Sequence, residues 1–211
     1  MDSFVDNMEG NQRAEGQRRL IVGITGATGA IYGVRLLERL REAGVETHLV
    51  ISRWGARTLL HETSYTREQV EALATVAYQA GDMGAVISSG SFPTDGMVVA
   101  PCSAKTLAAI ASGYGDNLIH RAADVVLKER RRLVLAVREA PLSEIHLENM
   151  LKLARMGVRI MPPLPAFYQH PATVDDIVDH TVMRLLDQCG LPLPSDARWT
   201  GEMGVGPAIS G

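Results

Sequence analysis

Residues 20–33, LIVGITGATGAIYG, determine how the rest of the sequence is interpreted. An apolar run leads into a turn that holds Gly26 and Gly29, and Leu36, Leu37 and Leu40 then follow at helical spacing. A strand, a glycine turn and a helix in this order open nucleotide-binding α/β domains. Glycine lets the backbone approach a phosphate, and a helix N-terminus offers unpaired N–H groups. Since the spacing is not the strict dinucleotide fingerprint, the stretch predicts either a phosphate or flavin contact or only a tight turn.

The composition is that of an ordinary globular protein. The 211 residues fit one domain, 46% are hydrophobic and 21% are charged. A net charge of -3 gives no electrostatic case for nucleic acid or an anionic membrane. Cys102 and Cys189 do not suggest a disulfide framework, and no apolar run approaches the roughly 20 residues of a membrane span. These features favour a cytoplasmic protein.

Strands alternate with helices along the chain, which predicts a parallel sheet covered on both faces. We expect a single α/β domain over residues 19–192, with a Rossmann-like or flavodoxin-like doubly wound sheet. A flexible lead-in, 1–18, precedes it, and a tail, 193–211, follows and contributes Trp199. The first helix is predicted to begin at about Thr28, and Thr66-x-x-Gln69 is a capping-box pattern that opens a short helix. Asp116 is expected to cap the helix that ends near Lys128. Strands are predicted at residues 19–24, 45–52, 85–88, 96–100, 132–137 and 158–161.

Polar groups follow the predicted strands, where open parallel sheets place their ligands. Hydroxyls, backbone N–H groups and one arginine at a shared edge suit a phosphate ester. Each group also has a structural explanation, since Ser103 and Thr106 could cap a helix and Arg138 could form a surface ion pair. The groups are Gly26-Ala27-Thr28, Ser52, Ser103-Ala104-Lys105-Thr106 and Arg138-Glu139.

A second cluster, Arg121, Asp124 and Lys128, shares one helix face. The spacing favours a solvated ion-pair ladder, and the alternative is a second anion site offered to a neighbouring subunit. Pattern alone does not select the remaining candidates, Glu62, Glu139, Tyr168, Arg184 and Trp199.

Taken together, several blocks in order make the chain resemble the flavin prenyltransferases, the UbiX-type enzymes that serve UbiD-type decarboxylases. The resemblance runs from about Arg19 to Trp199 and is closest to small subunits associated with aromatic acid decarboxylases. The blocks include GITGATGAIYGVRLL, ETHLVIS, ISSGSF, PCSAKTLAAI, RAADVVLKERR, VREAPLSEIHLENM, PAFYQHP and ARW.

The resemblance implies a metal-independent enzyme that joins a five-carbon unit from dimethylallyl monophosphate to N5 and C6 of reduced FMN. The prenylated FMN would serve a UbiD-type decarboxylase, and the enzyme would be a homo-oligomer with sites at subunit interfaces. By position, the resemblance assigns FMN binding to Gly26, Ala27, Thr28, Ser52, Ser103, Ala104, Lys105, Thr106 and Arg138.

The same resemblance assigns residues to the binding of the prenyl donor and to catalysis. Glu62 matches a carboxylate implicated in proton handling near N5, and Trp199 an aromatic that lines the prenyl site. Thr28 departs from the family, because many relatives have Ser there and the extra methyl crowds the site. Dimethylallyl phosphate would contact Arg121, Lys128, Glu139, Tyr168 and Arg184, and catalytic roles would fall to Thr28, Glu62, Lys128, Glu139 and Trp199.

Three other functions are alternatives to a flavin prenyltransferase. The turn TGATGAIYG also suits a short-chain NAD(P) reductase, but no Tyr is followed by Lys four residues later. A flavin-dependent cysteine decarboxylase would place a PASANT-like motif where PCSAKT stands, yet the chain has no PxMNxxMW match. A non-catalytic FMN-binding subunit of an aromatic acid decarboxylase would have much the same sequence.

Overall fold

The computed structural model describes residues 16–192. Most of the predicted lead-in and all of the predicted tail, with Trp199, therefore lie outside the described residues. The strands are β1 (Arg19–Ile24), β2 (Glu46–Ile51), β3 (Val76–Gln79), β4 (Gly96–Cys102), β5 (Arg132–Val137) and β6 (Arg159–Ile160). The helices are α1 (Ala30–Glu42), α2 (Arg53–Glu62), α3 (Arg67–Glu71), α4 (Ala104–Ser112), α5 (Leu118–Lys128), α6 (Glu144–Arg155) and α7 (Val174–Gln188).

The strands form one six-stranded sheet in the order β3-β2-β1-β4-β5-β6. Every pairing between neighbours is parallel, which confirms the predicted doubly wound α/β fold. β2 and β3 follow on one side of β1, and the chain then crosses back to place β4 on the other side of β1. A crevice opens at such a reversal, above the carboxyl ends of β1 and β4.

Apolar side chains cover the sheet on both faces. One layer packs Leu37 of α1 and Leu185 of α7 against the sheet, and the opposite layer contains Leu107 of α4 and Ile119 of α5. β1 is buried along its whole length, because it lies in the middle of the sheet with helices on both sides. None of the helices within residues 16–192 has the length and apolar character to cross a bilayer.

The third strand is not where the sequence predicted it. Residues 85–88 do not form a strand, and Val86–Ser88 is a single 3-10 turn. The strand beside β2 is instead β3, which lies at the sheet edge and is largely exposed. Thr47 and Thr75 fix its start, since the backbone N–H of each donates to the hydroxyl of the other at 3.0 and 3.1 Å. An exposed edge strand lacks the apolar alternation on which the prediction depended.

Two helix starts also differ from the prediction. α1 begins at Ala30 rather than Thr28, because Gly29 adopts a left-handed conformation with φ 98°. α5 is capped by Asn117 and not by Asp116, and the Asn117 side chain accepts from the backbone N–H of His120. The capping box predicted at Thr66 is confirmed.

Candidate functional site

Hydrogen bonds tie the carboxyl ends of the central strands together. The Thr25 hydroxyl donates to the Pro101 carbonyl at 2.8 Å and accepts from the backbone N–H of Ser103 at 2.8 Å. On the other side of β1, the backbone N–H of Ser52 donates to the Ile24 carbonyl at 2.9 Å. The polar groups that follow β1, β2 and β4 therefore meet at one edge of the sheet, as the sequence predicted.

A cavity of about 460 Å³, here called the strand-end cavity, opens at this edge. Three helices begin at it: α2, α4 and α5 have Ser52, Ser103 and Asn117 as their N-caps. Its lining is formed by Thr25, Gly26, Ser52, Arg53, Trp54, Ala80, Gly81, Ser103, Lys105, Thr106, Asn117 and His120.

The strand-end cavity is electropositive. Each helix N-terminus carries a partial positive charge, and Arg53 and Lys105 add two cationic side chains to the lining. The hydroxyls of Ser103 and Thr106 lie 3.1 Å apart beside them. Converging N-termini, hydroxyls and cations suit the phosphate of a ligand, and this is the chemistry predicted for the edge.

The glycine turn brings the backbone close to this cavity. A Cβ on Gly26 would lie 2.4 Å from the Cβ of Trp54, and one on Gly55 would lie 2.4 Å from the Ile24 carbonyl oxygen. Thr28, at the outer side of the turn, is exposed. The turn and the start of α2 are therefore packed backbone against backbone, which leaves no room for side chains at either glycine.

Glu62 occupies the N-terminus of α1. Its Oε2 accepts from the backbone N–H groups of Gly29 at 2.8 Å and Ala30 at 3.1 Å. α1 has no side-chain cap from its own N-cap residue, so a carboxylate at the end of α2 takes that role. The helix N-termini that open into the strand-end cavity are therefore those of α2, α4 and α5, whereas Glu62 occupies the α1 N-terminus suggested by the glycine turn.

Arg138 follows β5 at the same sheet edge. Its backbone N–H donates to the Cys102 carbonyl at 3.0 Å, which keeps it level with the end of β4. The side chain is exposed. Burial raises the pKa of Tyr32 in α1, and the positive charge of Arg138 opposes that shift. Arg138 thus borders the crevice without lining the strand-end cavity.

Arg121 and Lys128 do not reach the strand-end cavity. Arg121 pairs with Asp124 at 2.8 Å and donates from Nε to the Ser88 carbonyl. Lys128 pairs with Glu129 at 2.6 Å instead of with Asp124. Of the predicted ion-pair ladder, only the pair between Arg121 and Asp124 therefore forms. Lys128 lines a different, arginine-rich cavity of about 660 Å³ at the far end of α5.

Glu139, Tyr168 and Arg184 are likewise absent from the lining. Glu139 is exposed and accepts from the backbone N–H of Ala140 at 3.1 Å. The Tyr168 ring lies edge-on to His180 with centroids 5.9 Å apart, and the Arg184 guanidinium donates to a carboxylate at 2.9 Å. Within one chain, none of these three residues lines the strand-end cavity.

Seven residues of the lining were not selected from the sequence: Thr25, Arg53, Trp54, Ala80, Gly81, Asn117 and His120. Arg53 and Trp54 directly follow Ser52, so their place after β2 was a usable signal. Asn117 stands before an amphipathic run, which is typical of an N-cap. His120 carries no such signal, because only the packing of α5 turns it toward the cavity.

Comparison with known proteins agrees with the fold and identifies the family. Residues 8–186 match the model of the family described as Flavoprotein. A probable UbiX-like flavin prenyltransferase of Streptomyces sp. (strain D7) is 65% identical over 184 residues, which are 87% of this chain and 92% of that protein. The chain belongs to the flavoprotein family and, within it, to the UbiX-like flavin prenyltransferases.

Two solved structures show the same architecture. A crystal structure of AnUbiX (PadA1) in complex with FMN and dimethylallyl pyrophosphate has a TM-score of 0.86 and 52% identity, covering 89% of this chain and all (100%) of that one. A dodecameric FMN-dependent UbiX-like decarboxylase from Escherichia coli O157:H7 has a TM-score of 0.85 and 62% identity, covering 87% and 100%.

Proposed function

We propose that this chain is a flavin prenyltransferase, which joins a dimethylallyl group from dimethylallyl monophosphate to N5 and C6 of reduced FMN. The observation that carries the proposal is the strand-end cavity, where three helix N-termini, hydroxyls and two cations converge. Membership of the UbiX-like family supports it, as does the related AnUbiX structure that contains FMN and dimethylallyl pyrophosphate.

The strand-end cavity fits the phosphate end of FMN. Ser52 and Ser103 present capped helix N-termini, Lys105 supplies a cation, and Gly26 permits close approach of the backbone. The isoalloxazine would then extend along the crevice toward the glycine turn and Arg138. We assign FMN binding to Gly26, Ala27, Thr28, Ser52, Ser103, Ala104, Lys105, Thr106 and Arg138.

The prenyl donor requires a second anion site beside the flavin. Bound reduced FMN supplies the nucleophilic N5 and C6. Cationic side chains offset the charge of the departing phosphate, and the π face of Trp199 stabilises the allylic cation. A carboxylate, Glu62 or Glu139, accepts the proton that is shed on ring closure. We assign the donor phosphate to Arg121, Lys128, Glu139, Tyr168 and Arg184.

A homo-oligomer would bring these residues to the flavin. Arg121 and Lys128 lie away from the strand-end cavity of their own chain, and a related structure from E. coli is dodecameric. We propose that the site is completed across a subunit interface, and that prenylated FMN passes to a UbiD-type decarboxylase. Cys102 and Cys189 are free and buried, in keeping with the reducing cytoplasm as the place of action.

One anaerobic reaction tests the activity. Purified protein is mixed with reduced FMN and either dimethylallyl monophosphate or the pyrophosphate, and the flavin is analysed by mass spectrometry. A five-carbon gain with the monophosphate supports the proposal. Tight FMN binding without any gain would instead indicate the non-catalytic subunit.

Two variants test the assigned donor residues. Lys128→Ala and Glu139→Gln should lower turnover more than FMN affinity, because both groups act on the donor rather than on the flavin. Lys152→Ala, which removes an exposed lysine of α6, is the matched control and should leave both unchanged. Full activity in both Lys128→Ala and Glu139→Gln would refute the donor assignment.

A further inference from the structure

His120 is a buried titratable group in the wall of the strand-end cavity. It lies in the first turn of α5 and only 3% of its surface is exposed. Its Nδ1 is 2.7 Å from Oδ1 of Asp116, so this nitrogen donates its proton to the carboxylate. The Asn117 amide nitrogen is 3.2 Å from Nδ1 and 3.4 Å from Nε2, and both contacts are longer than the 2.8 Å hydrogen bond that it donates to Asp116. Asp116 therefore fixes the ring, and Nε2 keeps the capacity for a stronger partner.

Burial and two charged neighbours, Asp116 and Lys105, act on the pKa of His120. Burial lowers the pKa of His120, the Asp116 carboxylate opposes the shift, and the positive charge of Lys105 adds to it. Lys105 Nζ lies 3.8 Å from Oδ2 of Asp116, and Arg53 is the other cation of the lining. A dianion in the cavity would reverse this balance, because it would lie among cations and favour a protonated imidazole.

We propose that His120, held in orientation by Asp116, is a phosphate-recognition residue of the flavin cavity and takes up a proton when FMN binds. The proton comes from solvent and adds to Nε2, which then donates to a phosphate oxygen while Nδ1 continues to donate to Asp116. This inference rests on the proposed function, since it takes FMN to be the ligand of the strand-end cavity.

A purely structural role does not explain why the His120 side chain lines the strand-end cavity and pairs with Asp116. The N-cap of α5 uses the backbone N–H of His120, which any residue supplies. The imidazole itself lines the strand-end cavity and pairs with the Asp116 carboxylate. An aspartate-oriented histidine that borders a cation-lined cavity is instead the arrangement of a polar ligand contact.

Calorimetric titration of the flavin-free protein with FMN tests the proposal. At pH 7.5 the FMN phosphate is largely a dianion, so a proton taken up from solvent on binding adds to the protein rather than to the ligand. Measurement in two buffers of different ionisation enthalpy gives the number of protons bound. We expect net uptake by the wild type and less uptake by His120→Gln. We also expect FMN affinity to fall about tenfold or more in His120→Gln, with riboflavin affinity nearly unchanged.

Two further variants make the test specific. Asp116→Asn keeps the size of the side chain but removes its charge, so it should also reduce proton uptake. His146→Gln, in the capping box of α6, is the matched histidine control and should behave as the wild type.

Wild-type FMN affinity and proton uptake in His120→Gln would overturn the inference while leaving the proposed function intact. No FMN binding by the wild-type protein would instead contradict the proposed function. If His120→Gln does not fold, as judged by circular dichroism, Asp116→Asn decides: unchanged proton uptake in that variant overturns the inference.

Discussion

Gly26 lies where the glycine turn packs closely against the start of α2. The turn has to pass so close to the start of α2 that a methyl group at Gly26 would overlap the Cβ of Trp54. This contact involves a Cβ and backbone atoms, which cannot rotate away as the end of a long side chain could. Packing therefore requires glycine at this position. The proposed close approach of the FMN phosphate to the backbone depends on the same absence of a side chain.

Gly26→Ala should lower the free energy of unfolding by about 1–3 kcal/mol, because the added methyl displaces the start of α2. FMN affinity should fall as well, since Ser52 caps that helix. Urea denaturation and FMN fluorescence quenching measure the two effects. Gly115→Ala is the control, because no atom lies within 4 Å of its added Cβ and its φ is ordinary. Equal stability of the two variants would contradict this account.

At the scale of elements, Glu62 links α2 to α1. The sequence resemblance assigns it a role in proton handling, and the structure gives it a second task as the cap of α1. Both tasks suit a carboxylate at a helix N-terminus, where negative charge is stabilised by the helix dipole. A substitution at Glu62 will therefore change stability in addition to any effect on turnover.

Glu62→Ala should lower the free energy of unfolding by about 1 kcal/mol, the usual value of an N-cap interaction. Glu62→Gln should lower it less, because one acceptor oxygen remains for the two N–H groups. Glu42→Ala removes a 64% exposed ion-pair partner of Arg39 and should have little effect. Chemical denaturation of the three variants provides the comparison, and an unchanged Glu62→Ala protein would show that the cap contributes nothing.

At the scale of the whole molecule, the two ends of α5 belong to different regions. His120 lines the strand-end cavity, whereas Lys128 lies eight residues further along α5, about 12 Å away at 1.5 Å per residue. One chain therefore cannot place both at the same phosphate. The proposed oligomer removes this difficulty, because the Lys128 end of one subunit can approach the crevice of another.

Complementation tests this shared site. Lys128→Ala and Thr106→Val subunits should each have little prenyltransferase activity, since one has lost a donor contact and the other a flavin contact. Co-expressed mixed oligomers should recover part of the wild-type activity, because some sites then combine the two intact halves. Activity of the mixture that only equals the average of the two parent proteins would indicate that each site is built from a single chain.

The sequence alone is enough to predict the fold and a ligand site at one sheet edge. Both follow from the strand, turn and helix at residues 20–33 and from the polar groups after β1, β2, β4 and β5. This succeeded because burial on both faces gives central parallel strands a continuous apolar pattern. The exposed edge strand β3 has no such pattern, and its position was predicted wrongly.

Which groups line the cavity at that edge depends on the tertiary packing. It capped α1 with Glu62, formed the strand-end cavity from the N-termini of α2, α4 and α5, and turned His120 into that cavity beside Asp116. It also kept Lys128 away from the cavity of its own chain. These relations join residues far apart in sequence, so they depend on how helices pack across the sheet, which local periodicity does not encode.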